Sequence, residues 1–114
     1  MRGERILNKL RSKAKRKINQ EFQRYKRAVM MYEPKVNVWE SSHKIHFYCC
    51  IREYFHLNPK IPNVYLELAV KEYGLIQSMW NVYLKHEELQ YYTWEGIEDI
   101  LEHILLEWKI PQTA

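Results

Sequence analysis

Asn63-Val64-Tyr65-Leu66-Glu67-Leu68-Ala69-Val70-Lys71-Glu72-Tyr73-Gly74 admits two readings, and the choice between them sets the fold class. Val64, Leu66, Leu68 and Val70 alternate as the buried side of a strand would. Leu66, Ala69, Val70 and Tyr73 instead recur at the three- and four-residue steps of a helix. Gly74 decides for the helix, because it stands where a left-handed residue closes a helical segment. A strand would also need partners and turns to join them, and the chain has only 3 Gly and 4 Pro in 114 residues to build those turns. The predicted fold is all-α: a small bundle of about five helices with a long basic N-terminal helix.

Working outward from that stretch, Ile76, Met79, Trp80, Tyr83 and Leu84 mark a fourth helix. A fifth starts after Thr93, with Ile97, Leu101, Ile104 and Trp108 on one stripe, and Pro111 closes the fold. Toward the N-terminus, Asn58 and Pro59 stop a second helix that Asn37 and Glu40 open as a capping box. That helix carries Trp39, Ile45, Tyr48, Cys49, Ile51 and Phe55 on more than one face, so a central place is expected. Leu7, Leu10, Ala14, Ile18, Phe22, Tyr25, Val29 and Tyr32 form the stripe of a first helix from about residue 4 to Glu33, ended by Pro34. The stripe is thin as far as Ala14 and rich after Ile18. One domain over 1–114 is expected, with 1–17 as a basic arm and 18–110 as a packed body.

Charge is distributed unevenly along this frame. The first 27 residues hold Arg2, Arg5, Lys9, Arg11, Lys13, Lys15, Arg16, Lys17, Arg24, Lys26 and Arg27 against Glu4 and Glu21, about +9, although the whole chain is only +4. The remainder is mildly acidic, so a polyanionic partner would meet the N-terminal helix. At 46% apolar and 14% aromatic residues, the body has the composition of a folded domain and not of a disordered chain. Cys49 and Cys50 are the only cysteines. Adjacent residues are poorly placed to bond each other, so a reducing cytoplasmic setting is expected. No apolar run reaches the length of a signal peptide or a membrane span.

Three constellations suggest chemistry. His43, His46 and Cys50 lie at i, i+3 and i+7 on the second helix, near enough to one face to converge on a metal, and Glu53 and His56 extend the row. A di-metal bundle would need a second Glu-x-x-His, which the chain lacks, and a crowded interhelical surface is the simpler reading. Glu95, Glu98, Asp99 and Glu102 could be paired catalytic carboxylates, but their place at the start of the last helix is explained by helix polarity. Ala69 to Lys85 resembles the helix-turn-helix of bacterial repressors, with Gly74 in the turn and Ser78 capping a recognition helix. Met79, Trp80, Val82 and Tyr83 are poor readers of bases, however, and Glu87 and Glu88 would be repelled by DNA. No phosphate-binding Gly-rich loop, nucleophile elbow or Cys-x-x-Cys is present, so neither an enzyme nor a cofactor is expected.

Lys17-Ile18-Asn19-Gln20-Glu21-Phe22-Gln23-Arg24-Tyr25, the Ser41 to Phe55 helix with His43-Lys44-Ile45 and Ile51-Arg52-Glu53-Tyr54, Met79 to Glu87 with Val82-Tyr83-Leu84, and Ile97 to Ile104 together resemble a family of uncharacterised small helical proteins. That family is found on integrative elements and prophages of gut-type Gram-positive bacteria, and the resemblance covers about three quarters of the chain. It implies a mobile-element accessory protein of a bacterial cytoplasm that acts by binding, as inhibitors of host defence nucleases such as anti-CRISPR proteins do. It brings no catalytic residue with it.

The expected function is that of a non-enzymatic interaction protein for a protein or ribonucleoprotein partner. Aromatic anchors and the basic helix would supply the contacts. The candidate residues are Lys9, Arg11, Lys13, Lys15, Arg16, Lys17, Arg24 and Arg27. Whether they meet nucleic acid or an acidic protein surface stays open, and a nucleic-acid-binding regulator or packaging protein using the same helix is the alternative.

Overall fold

The computed structural model describes residues 2–32 and 38–109, with side chains over 5–28 and 42–107. Five helices follow in order: α1 (Arg2–Tyr32), α2 (Val38–Leu57), α3 (Asn63–Lys71), α4 (Leu75–Lys85) and α5 (Trp94–Lys109). No strand occurs among the described residues. At a rise of 1.5 Å per residue α1 is about 46 Å long, and it sets the longest dimension of the molecule, 52 Å.

The ambiguous stretch is helical for a reason visible in its burial. Tyr65, Leu66, Leu68 and Ala69 are buried, a helical set, while Val64 is exposed and Val70 only half-buried. The strand-like alternation therefore does not describe the buried face. Gly74 is left-handed as expected, with φ +69°, but it is the residue before α4 and not a cap on α3. Ser78 is accordingly not the cap of α4. It lies one turn inside, its N–H donating to the Gly74 carbonyl at 3.0 Å. Leu75 and Ile76, both fully buried, draw the helix start toward the core.

The other boundaries follow local chemistry. Asn58 ends α2 as expected: its N–H donates to the Tyr54 carbonyl, and its Oδ1 accepts from the Lys60 N–H at 2.9 Å, forming a turn. Thr93 caps α5, Oγ1 accepting from the Gly96 N–H at 3.0 Å. Pro34, Asn37 and Pro111 lie outside the described residues, as do the side chains of Glu40, Trp39 and Trp108, so the capping pair is outside what is described.

Helix α2 is central: Phe47, Tyr48, Ile51, Tyr54 and Phe55 are buried on it, and it touches α1, α4 and α5. Much of the aromatic surplus is core. Phe47 meets Trp80 and Tyr91 edge-on, each at 5.2 Å, and Tyr83 meets Tyr91 edge-on at 5.1 Å, contacts worth about 0.5–1.5 kcal/mol each beyond burial. α1 packs along α2 and α3, while α5 docks on α4 and α2. The basic helix and the acid-rich helix thus both pack on α2 and α4. Core contact on α1 starts at Leu10 and Ala14, ahead of Ile18, so part of the basic arm is already docked.

Candidate polyanion-binding surface

Because each residue of a helix turns it by about 100°, the basic side chains of α1 point in three directions. Ala14, Ile18 and Phe22 fix the buried direction. Opposite them, within a sector about 80° wide, fall Arg5, Lys9, Lys13, Arg16, Gln20, Gln23 and Arg27; all but Gln23 are exposed. The row runs for about 33 Å, and no acidic residue of α1 falls in it. Asn8, Lys9, Ser12, Lys13 and Arg16 border a shallow open depression of about 460 Å³ along its N-terminal half.

The second direction faces α3 and α4, and there the charges serve the fold. Lys17 Nζ donates to the carbonyls of Val70 at 2.8 Å and Glu72 at 2.6 Å, closing the C-terminal end of α3. One turn on, Glu21 Oε1 accepts the Ile76 N–H at 3.0 Å, capping α4 from outside. Burial pushes the Glu21 carboxyl above its ordinary value. The backbone N–H groups of Ile76 and Leu75, and then Lys17 and Arg24, oppose that shift without cancelling it. A Lys/Glu pair four residues apart therefore clamps the α3–α4 turn onto α1. Arg24, exposed, donates to the Tyr73 hydroxyl at 3.0 Å and lies over its ring.

The third direction faces α2 and carries half-buried Arg11 and Lys15. Of the eight candidate cations, then, Lys9, Lys13, Arg16 and Arg27 line the outward row, and Lys17 and Arg24 bind α3 and its turn. Arg5 belongs to the row and was missed, although its i, i+4 step to Lys9 marks it in the sequence.

The remaining constellations are drawn into packing. His46 Nε2 lies 3.8 Å from Cys50 Sγ and its Nδ1 lies 3.3 Å from the Tyr91 hydroxyl; His43, His46, Ser42 and Tyr91 border a hollow of about 170 Å³. Burial first, then the charge of Glu53, pushes the Cys50 thiol up, away from the thiolate that binds metals. Among the described residues no three His, Cys, Asp or Glu side chains are grouped to hold a metal ion. In the acidic cluster, Glu98 accepts from the Tyr54 hydroxyl at 2.7 Å and Glu102 from Tyr65 at 3.2 Å. The helix-turn-helix stretch presents no free helix N-terminus, since a carboxylate already occupies the start of α4.

Among the described residues no helix is long and apolar enough to cross a membrane. No protein family, curated protein or solved structure matches the chain.

Proposed function

We propose that this is a non-enzymatic binding protein of a mobile genetic element, acting in a bacterial cytoplasm on a ribonucleoprotein whose phosphates seat on the outward row of α1. One observation carries the reading: Arg5, Lys9, Lys13, Arg16 and Arg27 share one solvent-facing side of a rigid helix, undiluted by any acid. A solvated helix face ordinarily interleaves both signs, and glutamates four residues from lysines stabilise it. This row forgoes that support and suits a polyanion whose charges repeat along a line. Exposed Tyr73 beside Arg24, and exposed Tyr92 and Trp94, offer aromatic contacts to the protein part of such a partner. Inhibition of a host defence nuclease is the mode of action that the resemblance to mobile-element proteins implies.

The test titrates the full chain into labelled single-stranded and duplex DNA and RNA at two salt concentrations. Five phosphate contacts give a log–log slope of about −4, so a fourfold rise in salt weakens binding by about two orders of magnitude. Lys9→Gln, Lys13→Gln and Arg16→Gln combined should bring the slope to about −1.5 to −2. Absence of salt-dependent binding to every nucleic acid would refute the reading, and the row would then serve an acidic protein surface.

A further inference from the structure

His86, in the turn that follows α4, and His103, in the middle of α5, bring their rings together, centroids 4.6 Å apart and planes tilted by 51°. Both are half-buried, so each keeps part of its ring in solvent. Each ring also has its Nδ1 occupied. His103 Nδ1 lies 2.9 Å from the Asp99 carbonyl oxygen, which can only accept, so this nitrogen carries the proton. His86 Nδ1 faces the Glu88 carboxylate at 3.5 Å, which draws the proton to the same position. In the neutral ring the lone pair is then on Nε2 in both residues. His46 differs, since one of its nitrogens meets the Tyr91 hydroxyl and the other Cys50 Sγ.

We propose that His86 and His103 form a binding site for a divalent transition-metal ion of the zinc, nickel or copper class, held through the two Nε2 atoms. Imidazole nitrogen suits those metals. A metal-bound histidine ordinarily donates its other nitrogen to a carboxylate or a backbone carbonyl, which fixes the tautomer and raises ligand basicity; this pair has one partner of each kind. Ring packing alone accounts for the contact, but not for both tautomers being set the same way. With metal–nitrogen distances of about 2.0–2.1 Å, each ring centre stands about 3.2 Å from the ion, and the 4.6 Å separation corresponds to about 90° at the metal. Neighbouring ligands of a square-planar or octahedral shell meet at that angle, and a small opening reaches the tetrahedral one. The surrounding charge favours a cation. Asp99 and Glu107, both exposed, stand one turn either side of His103, and Glu87 and Glu88 follow His86, against the single charge of Lys85. Among the described residues no third His, Cys, Asp or Glu is grouped with the pair, so water completes the shell. The ion would tie the end of α4 to α5 across the loop 86–93, which carries exposed Tyr92.

Zinc chloride alone, titrated into the full chain, is the probe, read by side-chain nitrogen NMR of the histidine rings. The Nε2 resonances of His86 and His103 should shift together and saturate at one zinc per chain. A Kd of about 1–200 µM is expected, since two ligands supply about half the binding free energy of a four-ligand zinc site. His86→Gln and His103→Gln should each weaken binding by about a hundredfold. Glu88→Ala, which keeps both ligands and removes the orienting carboxylate, should weaken it by about tenfold. His86 lies outside the helices and Glu88 is 71% exposed, so their variants serve if His103→Gln fails to fold. Magnesium, which prefers oxygen ligands, should leave both rings unmoved. The proposal falls if zinc moves neither Nε2, if it moves His43 or His46 in their place, or if binding survives either histidine substitution unchanged. No nucleic acid enters the readout, so the result stands apart from the function proposed above.

Discussion

Lys17→Met separates the two kinds of basic residue on α1. The substitution keeps a flexible apolar stem of similar reach and removes the ammonium that bonds the Val70 and Glu72 carbonyls at 2.8 and 2.6 Å. Hydrogen bonds to charged groups contribute about 1.5–3 kcal/mol each when well made. Lys17 is half-buried, which places it toward the low end and gives a total of about 2–3 kcal/mol. For a chain of this length about 4 °C of melting temperature follows each kcal/mol, so a fall of about 8–12 °C is expected, with a matching loss in urea. The combined Lys9→Gln, Lys13→Gln and Arg16→Gln variant should stay within about 0.5 kcal/mol of the natural chain, because exposed cations opposite the core hold nothing in place. Nucleic-acid titrations should give the mirror image, Lys17→Met keeping the salt slope and the triple variant losing about half of it. A Lys17→Met protein as stable as its parent, or a triple variant that melts early, would refute the division of α1 into a structural and an outward face.

Glu21→Gln tests the other half of the clamp: the amide keeps an acceptor for the Ile76 N–H while removing a buried charge. The Glu21 carboxyl is held above its ordinary value of 4.5, so its contribution is greatest below that pH and is lost as pH rises through the higher folded value. Urea unfolding at several pH values should show the natural chain losing ground to Glu21→Gln between acid and neutral pH; a difference that stays level or moves the other way counts against the burial of that carboxylate. Gly96→Ala should destabilise by about 1–3 kcal/mol in the same assay, since its Cβ would sit 2.3 Å from the Gln90 carbonyl oxygen, a backbone atom that cannot swing aside. Gly74→Ala has open space around the added carbon and strains only its left-handed backbone, so it should cost about 1 kcal/mol and Gly74→Asn less. Equal effects of the two alanine changes would mean that contact and backbone strain have been wrongly assigned.

The fold was legible where spacing within one helix carries the information. Thr93 and Asn58 announce themselves as a cap and a stop because their bonds run to residues two to four positions away. Gly74 was legible as left-handed, but its assignment to α3 or α4 was not, because the burial of Leu75 and Ile76 decides it and burial is a property of the assembled bundle. The surface was half legible. Helix phase alone sorts Lys9, Lys13, Arg16 and Arg27 from Lys17, yet nothing local says that Lys17 and Glu21 find backbone groups 53 to 55 residues away. The seating of Arg52 over the Phe22 ring was hidden for the same reason, since it depends on the register of α1 against α2.

Tertiary contacts also explain why so many cations can share one helix without unfolding it. Cations three or four residues apart repel by a few tenths of a kcal/mol per pair, and the outward row alone contains three such steps, Arg5 to Lys9, Lys9 to Lys13 and Lys13 to Arg16. The clamp on the α3–α4 turn and the burial of Ala14, Ile18 and Phe22 hold the helix against that repulsion. The outward row is therefore charge held in place by tertiary contacts and not by helix propensity. Its positive groups keep a fixed spacing before any partner arrives, so a phosphate-bearing partner of the kind proposed would not have to order the helix first, and each contact would contribute correspondingly more affinity.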